Sequence, residues 1–293
     1  MDAMTAVAAP IRTRQVLGFD FVDDVSLDAT VERLLAPQPD DGREPIVFTP
    51  NVDTVVHMWE LERSGVAHRL RNSRYVLPDG QPIVWASRML GQPLGARLAG
   101  SDLVSPLWRR LVAEERRAMV VVSCPQVAAP LQAEMPSLGV YVPPVFDADD
   151  PVAFAAVVRS AAEVLERTSP EFVFLGISFP KQQLLALALI DHVRRQGGQP
   201  PVFLCIGGGL ELHVGRHRRA PQWARRAGGE WFFRFLLEPR RLFYRYFVKD
   251  LRFLPIMRLE LRAARPPRLW GSRGFRVAGM PGWLWLLIPV LAL

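Results

Sequence analysis

Pro45-Ile46-Val47-Phe48-Thr49-Pro50-Asn51 and Tyr75-Val76-Leu77-Pro78-Asp79-Gly80 are two apolar runs that each end on polar residues. A third stretch, Arg97-Leu98-Ala99-Gly100-Ser101-Asp102, follows closely. In an open α/β sheet, ligands bind just past the carboxyl ends of the strands. Two strand-like runs ending in Asn51 and Asp79 therefore suggest both a fold and a place for chemistry.

Further apolar runs support that reading. Ala118 to Ser123 is rich in β-branched residues, as a strand buried on both faces should be. Phe172 to Leu175 and Val202 to Ile206 are similar. Between these runs, Val52 to Ser64, Ile83 to Leu90, Leu103 to Val112, Ala153 to Glu166 and Lys181 to Arg194 show helical spacing of apolar residues. Strands alternating with helices predict a doubly wound, mainly parallel, Rossmann-like α/β sheet. Towards the N-terminus, Met1 to Arg14 reads as a disordered leader without a secretory core, and Val16 to Phe21 as one short strand. Ser26 is placed to cap a helix through Leu35, and Pro37 to Pro45 is a loop.

The 293 residues supply ample core for one large or two small domains, and 49% hydrophobic with 22% charged content is globular. Cys124 and Cys205 lie in apolar runs, which suits reduced core residues and excludes a disulfide framework. His57 and His68 read as ordinary histidines without a second ligand at metal spacing. Gly207-Gly208-Gly209 permits a tight turn after the last strand, but it is not Gly-x-Gly-x-x-Gly, which speaks against a dinucleotide-dependent dehydrogenase.

Asp79 is flanked by Pro78 and Gly80, which fix the chain and allow close approach. A carboxylate held this way suits a general base, and equally a turn or a helix cap. Ser101 and Asp102 are each candidates to cap the next helix, with Asp102 also a candidate ligand contact. Arg97 carries the planar fork that holds phosphate or carboxylate. Gln182 and Gln183 open a helix after Gly176 and Pro180, where they serve either as caps or as partners of a diphosphate or sugar hydroxyl, with Lys181 adding charge.

Past the last strand the composition changes. His213 to Arg276 holds 17 Lys and Arg against 4 Asp and Glu, a net of +13 in a chain of +7, so the remainder carries −6. Aromatics from Trp223 to Phe253 are interleaved with this charge, which suits an anionic membrane surface or a helical subdomain packed on the core. No nucleic-acid module is recognisable, so nucleic acid is not expected as a partner. The division expected is a leader 1–14, an α/β catalytic domain 15–212, a basic aromatic-rich helical appendage 213–262, and a tail 263–293. The tail's end, Gly279 to Leu293, is too short and too broken by Pro and Gly to span a bilayer. Trp283 and Trp285 favour an interfacial foothold.

Three ordered signatures carry a resemblance. The first is Thr49-x-Asn51 with Pro78-Asp79-Gly80-Gln81-Pro82-Ile83-Val84-Trp85-Ala86-Ser87-Arg88, Leu90-Gly91-x-Pro93-Leu94 and Arg97-x-x-Gly100-x-Asp102-Leu103. The second is Leu175-Gly176-Ile177-Ser178-Phe179-Pro180-Lys181-Gln182-Gln183. The third runs from Gly207-Gly208-Gly209 through Gly215-Arg216 and Glu230-Trp231 to Glu238-Pro239-Arg240-Arg241-Leu242. Together they resemble the WecG/TagA/CpsF family, glycosyltransferase family 26. The resemblance implies an inverting transfer from a UDP-sugar, of N-acetylmannosamine or hexose type, to a polyprenyl-diphosphate-linked saccharide in bacterial surface or extracellular polysaccharide synthesis. It implies Asp79 as base, Thr49 and Asn51 on hydroxyls, and Arg97, Asp102 and Gln182 on substrate. Arg234, Arg241 and Arg245 would approach the acceptor diphosphate. No cofactor or metal is expected, and the enzyme would be cytoplasmic, peripheral on the inner face of the cell membrane, with homo-oligomerisation left open. Ser123-Cys124-Pro125 departs from the glycine-rich loop of such relatives, and Leu210-Glu211-Leu212 from their aromatic-Asp pair. These departures keep a second reading alive, a non-catalytic homologue that binds nucleotide sugar or membrane.

Overall fold

Alternating side chains of the central strands feed two apolar layers, one on each face of a single sheet. The computed structural model describes residues 12–23, 26–61, 65–216, 233, 236, 239–240 and 250–263. In chain order its first half contains β1 (Thr13–Val16), β2 (Phe19–Val22), α1 (Leu27–Leu35), β3 (Glu44–Phe48), α2 (Val52–Glu60), α3 (Gly65–Arg71), β4 (Ser73–Val76), α4 (Gln81–Met89) and α5 (Gly100–Ala113). The second half contains β5 (Ala118–Val122), α6 (Pro125–Glu134), β6 (Gly139–Tyr141), α7 (Pro151–Thr168), β7 (Phe172–Gly176), α8 (Lys181–Arg195), β8 (Val202–Cys205), α9 (Gly209–His213) and α10 (Phe253–Ala263).

The eight strands lie in the order β1-β2-β4-β3-β8-β7-β5-β6. Only the β1–β2 pair is antiparallel. The expected mainly parallel α/β sheet is therefore present. On one face, Ile46, Phe48, Met119, Val121, Val173, Leu175 and Phe203 pack under α2, α3, α4, α7, α8 and α10. On the other, Val47, Val120, Phe174 and Leu204 pack under α1, α5, α6 and α9. Within α10, Ile256, Met257 and Leu261 are buried, so this part of the basic stretch is attached to the core through α2.

Three local expectations are corrected. The run from Val16 to Phe21 is a hairpin, because Leu17 and Gly18 take φ of 53° and 74° and turn the chain back on itself. Thr13 and Arg14, assigned to the leader, belong to its first strand. The helix expected through Ser64 stops at Glu60, and α3 starts afresh at Gly65. Finally, α5 begins at Gly100 with Ala99 as its N-cap, so Ser101 and Asp102 lie inside its first turn and neither is the cap. Gly100 makes this earlier start feasible: a Cβ there would stand 3.1 Å from Thr49 Oγ1 and 3.2 Å from its Cγ2.

Among the described residues no helix is long and apolar enough to cross a membrane. The tail from 264 onward, with Trp283 and Trp285, lies outside the described residues.

Candidate functional site

β3 and β8 are parallel neighbours at the centre of the sheet, with β4 beyond β3 and β7 beyond β8. In an open α/β sheet ligands bind in the crevice outside the carboxyl ends of the strands. Thr49 and Asn51 follow β3 at that edge, and the glycines 207–209 follow β8.

Backbone hydrogen bonds tie the quoted stretches together there. Leu77 N donates to Phe48 O at 2.8 Å, Asp79 N to Pro50 O at 3.2 Å, and Leu98 N to Pro78 O at 2.9 Å. Asp79 thus stands, half-buried, between the loop carrying Asn51 and the loop carrying Arg97. Gly80, with φ of 116°, is the N-cap of α4 and makes no side-chain cap, so Asp79 does not hold that position. The positive φ explains why glycine follows the carboxylate.

Each of the other sequence candidates has a defined setting. Thr49 Oγ1 donates to Cys205 O at 3.2 Å, fastening β3 to β8 across the crevice. Asn51 is the N-cap of α2, its Oδ1 accepting from Thr54 N at 3.1 Å and Thr54 Oγ1 at 3.2 Å. Arg97 Nη2 donates to Asp102 Oδ2 at 3.1 Å. Gln182 is buried, and its Oε1 accepts from Gly207 N at 2.9 Å, so its side chain supports the turn after β8. Gln183 is buried as well, with no hydrogen bond to its Oε1 among the described residues. Lys181 turns away from the expected anion, donating to Phe146 O with its ammonium 4.6 Å from the Phe146 ring centroid. Arg234, Arg241 and Arg245 lie outside the described residues.

Sequence reasoning missed several supports. Asp23 bonds Arg14 Nε at 2.6 Å and Gly95 N at 3.1 Å, pinning the loop that leads to Arg97. Ser123 Oγ donates to Glu211 Oε1 at 2.8 Å, so two departures from the expected family pattern are in contact. That both fell after strand ends was the available signal. Ser105 Oγ and His213 Nδ1 lie 2.9 Å apart, joining α5 to the end of α9. Desolvation, with Arg109 nearby, holds the His213 pKa below the ordinary 6.5, against the opposing pull of Glu134. Burial pushes the Cys205 thiol far up.

Two spacings of metal-binding type occur where the sequence was read as holding none. His213 and His217 are four residues apart, but His217 lies outside the described residues. Asp147-Ala148-Asp149 precedes α7, where Asp147 Oδ1 accepts from Asp149 N at 3.1 Å. Among the described residues no group of three or more His, Cys, Asp or Glu is arranged to hold a metal ion.

Comparison with known proteins identifies the family. The sequence matches the model of the glycosyl transferase WecG/TagA/CpsF family over residues 14–266. It is similar to an N-acetylglucosaminyldiphosphoundecaprenol N-acetyl-beta-D-mannosaminyltransferase of Bacillus spizizenii, 23% identical over 266 residues covering 89% of this chain and 97% of that one. A protein of the same name from Staphylococcus aureus is 23% identical over 256 residues, covering 85% of this chain and 92% of the relative. Another from Bacillus subtilis is 27% identical over 176 residues, 59% of this chain and 64% of its own.

Proposed function

Because this chain belongs to the WecG/TagA/CpsF family of glycosyl transferases, we propose that it transfers a sugar from a UDP-sugar to a polyprenyl-diphosphate-linked saccharide. The named relatives are mannosaminyltransferases whose acceptor is N-acetylglucosaminyl-diphospho-undecaprenol. An N-acetylmannosamine-type or hexose donor and an acceptor of that class are the corresponding assignment here. The observation that supports it most is the pair of bonds Asp79 N to Pro50 O and Leu98 N to Pro78 O, which holds Asp79 between the loops carrying Asn51 and Arg97 at the carboxyl edge of the sheet.

In this reading Asp79 takes the proton from the acceptor hydroxyl as that oxygen attacks the anomeric carbon, from the face opposite the leaving UDP. The configuration inverts in a single displacement. Positioned proton abstraction contributes about 10²–10⁴ in rate. Asn51 presents its NH2 group to a sugar hydroxyl, since its oxygen is committed to capping α2. Thr49 shapes the floor of the crevice. Arg97 offsets the charge that develops on UDP, with no metal required for that role. Gln182 acts by fixing the Gly207 turn, and Asp102 by its contact with Arg97. Arg234, Arg241 and Arg245 belong to the basic segment that would meet the acceptor diphosphate and an anionic membrane surface, making the enzyme peripheral on the inner leaflet.

The test is UDP release from a panel of UDP-sugars with a polyprenyl-diphosphate-saccharide acceptor, comparing wild type with Asp79→Asn. Turnover that collapses in the variant while UDP binding survives supports the assignment and identifies the donor. Equal turnover in both removes Asp79 from the mechanism. A folded wild type that binds UDP yet turns over no donor favours the binding-only homologue.

A further inference from the structure

Asp102 and Arg97 are set on supports of different kinds. Asp102 stands in the first turn of α5, a 14-residue helix, where the helix dipole favours a carboxylate. That turn is wedged in place. Gly100 lies against Thr49, and a Cβ on Gly209 would come within 3.4 Å of Ser101 Cα. Arg97 is on the connection between α4 and α5, whose backbone is pinned at Leu94 N by Ser87 Oγ at 3.0 Å, at Gly95 N by Asp23 Oδ1 at 3.1 Å, and at Leu98 N by Pro78 O at 2.9 Å. The backbone around Arg97 is thus fixed, whereas its long side chain has many rotamers of its own.

We propose that Asp102 is a positioning residue: it aims the Arg97 guanidinium at the donor diphosphate and does not itself touch substrate. The proposal rests on the UDP-sugar reading above. Two physical arguments carry it. The pair is largely shielded, with side chains 18% and 21% exposed, so the ion pair selects one guanidinium orientation with little competition from water. A carboxylate in direct contact with a diphosphate would repel it, whereas a carboxylate behind the arginine keeps the cation in place and cancels its charge until the donor arrives. The helix turn supplies rigidity that the arginine stem lacks.

The experiment is a double-mutant cycle on the full chain with Asp102→Ala, Arg97→Ala and the double variant, read in donor KM, kcat and UDP affinity by calorimetry. Loss of one charge-assisted contact predicts a rise in donor KM of about tenfold for Asp102→Ala, with a smaller change in kcat. Asp102→Asn, whose amide oxygen still accepts from Nη2, recovers part of that loss. In the Arg97→Ala background, Asp102→Ala adds nothing further, because its only route to the ligand is gone. Additive losses overturn the proposal, since they mean that Asp102 acts directly on substrate or on the fold alone. The two levels of failure are separable. A wild type that does not bind UDP ends the UDP-sugar reading and this proposal with it, whereas UDP binding with an additive cycle ends this proposal alone.

Discussion

The two edges of the sheet are held together in different ways. At the amino edge, Glu44 is 7% exposed and accepts from Arg69 Nε at 2.6 Å and Arg194 Nη1 at 2.8 Å. Arg69 in turn grips Asp191 with two parallel bonds of 2.8 Å. These partners come from the start of β3 and the ends of α3 and α8, so the cluster clamps strand and helices together. At the carboxyl edge, Arg97 Nη2 donates to Asp102 Oδ2 at 3.1 Å, and the backbone of Asp79 and of Leu98 is bonded to Pro50 O and Pro78 O. The lower edge ties charges to one another for stability. The upper edge is held by main-chain bonds between the loops that carry the candidate residues.

The sharpest way to break that contrast is Asp79→Asn. It should lower turnover by about 10²–10⁴ while leaving the melting temperature near the wild-type value, as steady-state assays and thermal denaturation will show. Glu44→Ala should do the reverse. Glu44 is buried but its arginine partners are partly exposed to water, so its removal costs about 2 kcal/mol, visible in denaturant unfolding, with donor KM unchanged. Thr49→Val probes where the two roles overlap: loss of its bond to Cys205 O should cost about 1 kcal/mol as well as activity. A Thr49→Val variant that loses activity with no cost in stability would make the division between the edges a strict one.

The smallest effect concerns pH. Desolvation keeps the folded-state pKa of His213 below the unfolded value of 6.5, so the unfolded chain binds that proton first. Stability present above pH 6.5 is therefore lost as pH falls through the folded-state pKa. In His213→Gln, which preserves a partner for Ser105, the acid side of a plot of melting temperature against pH should be shallower.

Much of this was legible because the central strands are buried on both faces. Ala118 to Val122 and Phe172 to Gly176 read as continuous apolar runs for that reason. Asp79 and Asn51 were legible because each follows such a run directly. What stayed hidden depends on pairs distant in sequence. Glu44 meets Arg194 across 150 positions, and Ser123 meets Glu211 across 88. No local pattern reports those meetings. The start of α5 was misplaced because Gly100 looks like a helix breaker by propensity, yet its missing side chain is what lets the helix close on Thr49. Gln182 was correctly placed at the edge, but its bond to Gly207 N makes it a prop for the turn, a role invisible without the fold.

The different settings of the two cysteines give this chain a built-in reporter. Cys205 is 1% exposed with its thiol strongly disfavoured from ionising, so alkylating reagents will not reach it in the folded state. Cys124, partly exposed at the head of α6 and next to Ser123, is the remaining thiol in the sequence. A fluorophore attached to the unmodified protein therefore lands at one position, on the rim beside Ser123 and Glu211, and its emission can follow ligand arrival without any engineered site.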